Sequence, residues 1–281
     1  MPARRIFAIL LAAASAALAA PAPKQLTLVK SAVRQYEDGP AIAPGFSFFT
    51  GDTVFFSCQI QNYQVSEENR VDLHVRFEAT DPGGVPLAEP VERAIATQVS
   101  AEDKNWMPIV RETFQIPPLG FPGVYHVRVA VDDRLSKQTA KSDIDVPVRG
   151  RRVEPSDKLV ARNFRFLRSE EDRNPMESAV YQPGESLWAR FEITGFRYGP
   201  KNRVQVSYGI SVLSAAGDTL FTQPQAAADQ DESFYPKRYI PGVLSLSLDP
   251  KVKPGEYTLA VTLRDEIGNQ TEESRHVFRV E

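Results

Sequence analysis

The chain repeats itself. Displaced by 133 residues, Gly51 falls on Gly184, Ile60 on Ile193, Asn69-Arg70-Val71 on Asn202-Arg203-Val204, Gly84 on Gly217 and Leu87 on Leu220. No gap is needed between Gly51 and Leu87. Displaced by 132, Pro118, Pro122-Gly123, Tyr125, Val129, Asp133, Gln138-Thr139, Ser142 and Val148 meet Pro250, Pro254-Gly255, Tyr257, Val261, Asp265, Gln270-Thr271, Ser274 and Val280. Self-similarity at so long a period means one structural unit built twice, and 281 residues suit two domains of ordinary size. The units are read as residues 20–148 and 159–281. Between them, residues 149–158 are charged, contain Gly150 and Pro155 and show no alternating apolar pattern, so a solvated linker is expected there.

The period of the hydrophobic pattern sets the class. Val54, Phe56, Cys58 and Ile60 alternate with Phe55, Ser57 and Gln59; Leu187, Ala189, Phe191 and Ile193 alternate with Trp188, Arg190 and Glu192. Period two with one apolar face marks a half-buried antiparallel strand. Val71-Leu73-Val75-Phe77 and Val204-Val206-Tyr208-Ile210 repeat it, as do Tyr125-Val127-Val129-Val131 and Tyr257-Leu259-Val261-Leu263. Turns are expected at Asp81-Pro82-Gly83-Gly84 and Ala216-Gly217-Asp218. The 22 prolines and 16 glycines break the chain too often for long helices. The expected class is all-β, two tandem antiparallel sandwiches. Residues 91–112 and 223–241 are the least regular and are expected as long loops, with Ala226-Ala227-Ala228 as a single helical turn.

Pro118-Leu119-Gly120-Phe121-Pro122-Gly123-Val124-Tyr125 and Pro250-Lys251-Val252-Lys253-Pro254-Gly255-Glu256-Tyr257 resemble the edge-crossing turn of bacterial extracellular immunoglobulin-like and fibronectin type III-like sandwiches. The resemblance implies two immunoglobulin-like domains. It also implies that Tyr125 and Tyr257 each bond back to the backbone of the preceding turn, a tyrosine corner. Tyr181-Gln182-Pro183-Gly184-Glu185-Ser186-Leu187 is similar to the opening of macroglobulin-type repeats; the first copy departs from it with Phe48-Phe49-Thr50-Gly51-Asp52-Thr53-Val54. No thioester motif accompanies that likeness. These motifs are structural and imply a fold, not an activity.

Arg4 and Arg5 precede an alanine- and leucine-rich run over residues 6–20, too short to span a bilayer comfortably. Ala17-Leu18-Ala19 offers a small-x-small cleavage site, so residues 1–19 are expected as a signal peptide. The mature chain then carries no membrane span, and its expected location is periplasmic or secreted. A net charge of −3 disfavours nucleic acid as a partner.

Catalytic chemistry finds little support. His74, His126 and His276 fall within strand patterns, and the first two have Ser207 and Thr258 as their repeat counterparts. One cysteine and three histidines argue against a Cys/His zinc site, and Cys58 reads as a small buried hydrophobe. Asp133 and Asp265 lack calcium-loop spacing and read as turn-forming. No catalytic residue, metal or cofactor is therefore assigned. The candidate binding positions are aromatic. Phe55 and Trp188 are equivalent and face away from the apolar side of their strands. Trp106, Phe234 and Tyr235 lie in Asn105-Trp106-Met107-Pro108 and Ser233-Phe234-Tyr235-Pro236, an aromatic shortly before proline in each irregular stretch. Such rings stack on sugars or anchor protein interfaces. The expected role is non-catalytic: a binding or scaffold protein of the bacterial envelope with a protein partner. A carbohydrate-binding module using exposed aromatics is the alternative, and a hydrolase the third reading.

Overall fold

The computed structural model describes residues 24–100, 102–103 and 105–281; the expected signal peptide lies outside them. The first domain is built from β1 (Thr27–Arg34), β2 (Phe48–Phe49), β3 (Thr53–Gln61), β4 (Arg70–Thr80), β5 (Val91–Gln98), β6 (Ile109–Gln115), β7 (Gly123–Asp133) and β8 (Gln138–Arg149). The second is built from β9 (Val160–Leu167), β10 (Val180–Tyr181), β11 (Ser186–Thr194), β12 (Val204–Ser214), β13 (Thr219–Asp231), β14 (Ile240–Ser247), β15 (Gly255–Asp265) and β16 (Gln270–Val280). In each domain a three-stranded sheet faces a five-stranded one. The orders are β1-β3-β6 with β2-β8-β7-β4-β5, and β9-β11-β14 with β10-β16-β15-β12-β13. Every strand of the first domain has a counterpart in the same place in the second.

Alternation builds the two cores. Val54, Phe56, Cys58 and Ile60 on β3, Val71, Leu73, Val75 and Phe77 on β4, and Tyr125, Val127, Val129 and Val131 on β7 all turn inward and are buried. Leu187, Ala189, Phe191 and Ile193 on β11 do the same with Val204, Val206, Tyr208 and Ile210 on β12 and Leu259, Val261 and Leu263 on β15. The two clusters have no buried residue in common. Two all-β domains therefore stand in tandem. No helix among the described residues is long and apolar enough to cross a membrane.

Four parts of the chain differ from the sequence expectation. The stretches expected as long loops contain β5 with the first half of β6, and much of β13 with the start of β14. Strands β5 and β13 close the outer edges of the five-stranded sheets, where few side chains reach a core. An edge strand of that kind needs no apolar alternation and leaves no periodic signal. Ala226-Ala227-Ala228 belongs to β13: Ala227 pairs with Tyr208 and Ala228 with Ser207, so backbone pairing overrides alanine's helical preference. Strands β1 and β9 left no alternation because each shifts register at a left-handed residue, Lys30 (φ 53°) and Asn163 (φ 50°). Finally, residues 149–158 are not wholly solvated. Val153 is fully buried, and Arg151 Nη1 lies 2.6 Å from Oε1 of the buried Glu192, which Arg165 also reaches at 3.3 Å. A carboxylate left alone under that cover would be strongly disfavoured, so the linker arginine helps fix the path of the chain.

Candidate functional site

The domains meet where the β4–β5 and β6–β7 turns of the first face the β13–β14 loop of the second. After β4 the chain turns at Asp81-Pro82-Gly83-Gly84. Asp81 is 2% exposed and its Oδ1 accepts the backbone N–H groups of Gly83 and Val85, both at 2.8 Å. That is the local bonding by which aspartate stabilises turns. Its second oxygen points out of the domain. There Oδ2 accepts the Tyr235 hydroxyl at 2.8 Å and a charged hydrogen bond from Arg238 Nη2, both from the β13–β14 loop of the second domain. Burial alone would raise the Asp81 pKa. The Val85 N–H, the Tyr235 hydroxyl and the Arg238 guanidinium outweigh it and hold the carboxyl below its ordinary value.

Arg238 is clamped in its turn. Its Nε donates to Tyr235 Oη at 3.0 Å, and its guanidinium carbon lies 5.1 Å from the Tyr235 ring centre and 5.8 Å from that of Phe121. Phe121 is on the turn before β7, and its carbonyl accepts the Tyr125 hydroxyl at 2.9 Å. Tyr125 is fully buried; burial, with the Asp81 charge adding to it, pushes its phenol up to about 12. Tyr257 makes the matching bond to the Lys253 carbonyl at 2.7 Å.

The second domain holds the loop in shape. Asn202, at φ 53°, donates from Nδ2 to the carbonyls of Ser233 (3.2 Å) and Phe234 (2.5 Å). Lys237 Nζ sits 2.9 Å from both carboxylate oxygens of Asp229 and 3.2 Å from Asp231 on β13. Two clefts flank this loop. One of about 670 Å³ is lined by Val85 and Pro86 of the first domain with Lys201, Asn202, Glu232 and Phe234 of the second. The other, about 590 Å³, is lined by Leu87, Phe114, Pro118 and Leu119 facing Tyr235 and Lys237.

The sequence candidates divide around this junction. Phe234 is 48% exposed in the first cleft, whereas Tyr235 is half-buried and spends its hydroxyl on Asp81. Phe55 is half-buried beside a polar cleft of about 430 Å³ with Arg93, Arg111 and Glu112. It pairs in register with Thr113, which also lines the second junction cleft. Glu112 is buried and held at 3.1–3.2 Å by two guanidinium nitrogens of Arg93. Trp188 is half-buried on the outer face of β11, and Trp106 is 38% exposed on the β5–β6 loop. Neither lines these three clefts. The Trp106 ring meets Tyr63 edge to face at 6.2 Å, and the Tyr63 hydroxyl donates to the Trp106 carbonyl at 2.6 Å.

Other titratable groups are engaged locally. Burial pushes the Cys58 thiol up to about 12, which leaves it an unreactive thiol at neutral pH. His126 Nδ1 lies 2.8 Å from Asp145 on an exposed sheet face. His276 stacks flat on Phe164, and burial lowers its pKa. Sequence reasoning missed Asp81, Phe121, Asn202 and Arg238. The available signal was an asymmetry between the copies: Asp81 has Ser214 as its counterpart, and Arg238 falls on Trp106 at the 132-residue displacement. What the junction can do is mechanical and adhesive. It fixes two domains through a desolvated ion pair and leaves an exposed ring beside polar groups. No protein-family model matches the chain, and no curated protein matches it.

Proposed function

We propose that this is an exported, non-catalytic scaffold or binding protein of the bacterial envelope, whose two immunoglobulin-like sandwiches present a protein partner with one fixed surface. The observation that carries this reading is the clasp of Asp81 with Tyr235 and Arg238, together with Arg151 on Glu192. Flexible tethers do not need buried charged contacts between neighbours. A pair held at one angle loses little further freedom on binding, which favours affinity. In this reading Tyr125 and Tyr257 are tyrosine corners that stiffen the turns, and Phe234 is the anchor beside the junction. Envelope extract passed over the immobilised chain should yield a protein partner that Phe234→Ala no longer retains. No partner above background, or one held equally by the variant, contradicts the reading.

A second reading has its own support. Phe234 exposes its ring beside Lys201, Asn202 and Glu232, a ring-plus-polar arrangement able to hold a sugar. Retention on a glycan panel that is lost in Phe234→Ala or Trp106→Ala would favour it over a protein partner.

A further inference from the structure

The two domains finish the same sheet edge differently. Strand β6 ends the three-stranded sheet of the first domain, and β14 ends that of the second. The Pro108 carbonyl accepts the Ile60 N–H and the Ile116 N–H donates to Asp52. By alternation, Arg111, Thr113 and Gln115, like Ile109, turn their backbone groups away from β3. The equivalent residues on β14 are Val243, Ser245, Ser247 and Pro241. Two of these are closed. Pro241 has no N–H, and the Tyr208 hydroxyl, reaching across from the opposite sheet, donates to the Val243 carbonyl and accepts the Val243 N–H at 3.2 Å. The first domain has neither device. Ile109 stands in place of the proline, and the counterpart of Tyr208 is Val75, which carries no hydroxyl. Among the described residues, nothing bonds the outward backbone of Arg111, Thr113 or Gln115.

We infer that the β6 edge takes an extended segment of a partner protein as a further strand of its sheet. The polar cleft at Arg93 and the apolar cleft at Leu87 both lie along this edge and share Thr113. An added strand bonds its main chain to Arg111, Thr113 and Gln115, and its side chains alternate between two surroundings. Opposite Phe114 a side chain turns inward, to Leu87, Leu119 and Tyr235. Opposite Glu112 it meets the Arg93–Glu112 ion pair, which favours a polar group. Opposite Arg111 it lies on the outer face. There Arg34 bonds Ser57, the register partner of Arg111, so two guanidinium groups stand together against the one carboxylate of Glu37 at the cleft. An acidic residue is favoured in that place. The occupant is thus an extended segment with an apolar and an acidic residue three apart. A second copy of β6 does not meet that description. Antiparallel in full register, two copies set Glu112 against Glu112, and the neighbouring registers set Arg111 against Arg111 or Glu112 against Phe114. The edge is separate from Phe234, which lines the other junction cleft.

A library of random peptides displayed on phage and selected on the immobilised full chain tests this. Enriched peptides should carry the apolar–acidic spacing and, once bound, should slow hydrogen exchange at the Arg111, Thr113 and Gln115 amides. Thr113→Pro removes an outward N–H without touching the bonds to β3, and should abolish binding while melting like the wild type. Arg111→Glu, at an exposed position, should weaken the same peptides by about threefold or more and bind better the versions with lysine in place of the acid. Phe234→Ala should bind them as the wild type does. The inference is overturned if no peptide is enriched, if bound peptides protect other amides, or if Arg111→Glu leaves the preference for acid unchanged. Binding lost in Phe234→Ala also overturns it, by moving the peptide to the exposed ring. So does a chain that dimerises with protection of the same three amides, since the occupant is then a second copy. Should the proline variant melt early, the exchange pattern and the charge reversal at Arg111 decide.

Discussion

At the scale of single residues, the two cores reach the same packing by different means. Cys58 pairs with Val110 on the neighbouring strand, whereas the equivalent Phe191 pairs with Gly242. The larger ring is admitted because the glycine opposite has no side chain; a Cβ on Gly242 would overlap the Phe191 ring. Phe191 also packs edge to face on Tyr208 at 5.1 Å. Gly242→Val alone should destabilise the second domain by about 1–3 kcal/mol through overpacking, and Phe191→Cys alone by about 3–5 kcal/mol through the cavity it leaves. Together they recreate the Cys58–Val110 pair, so the double variant should lose less than the sum of the two. Urea unfolding of the four proteins measures the coupling. The alternation around Cys58 and Phe191 made their inward direction legible from sequence. The compensating Gly242 was not, because a missing side chain leaves no hydrophobic signal.

At the scale of elements, the turns were read more fully than the edges. Asp133 and Asp265, expected as turn-formers, are both buried. Asp133 Oδ1 accepts the N–H groups of Leu135 and Ser136, and Asp265 Oδ1 those of Ile267 and Gly268. Each Oδ2 also reaches the loop after the second long strand of its domain, at Gln64 N (2.7 Å) and Arg197 N (2.9 Å). One carboxylate thereby ties a hairpin to the opposite connection in both copies. Asp265→Ala should destabilise its domain by more than about 2 kcal/mol, because it leaves several backbone donors without an acceptor. The same loss at Asp133→Ala in the first domain, read by thermal unfolding, would show that the bond belongs to the repeat. Edge strands β5 and β13 escaped detection for the opposite reason: their pairing is made by backbone atoms, which every residue carries. In β13 a register shift around Pro224 adds to this, since proline has no N–H to contribute.

At the scale of the whole molecule, tandem duplication and the all-β class were legible because periodicity is a property of every strand. The angle between the copies was not. Asp81 and Arg238 are 157 residues apart in the chain, and nothing in the composition of either segment announces the other. Phe234 and Tyr235 were marked as aromatic candidates, yet their division of labour, one exposed and one bonded across the junction, follows only from the fold. The clasp of Asp81 with Tyr235 and Arg238 holds the domains at one angle. Asp81 has a depressed pKa, so the stability it contributes is present above its unfolded value and is lost as pH falls through the folded one. Spin labels on cysteines placed at Lys141 and Thr271, one exposed site on each domain, allow the separation to be measured by double electron–electron resonance, Cys58 being too buried to react. The wild type should give one narrow distance distribution from neutral pH to about pH 4, broadening only below it, and Asp81→Ala should give the broad distribution at neutral pH. A wild type already broad at neutral pH, or a distribution that Asp81→Ala leaves unchanged, would mean that the clasp does not set the angle.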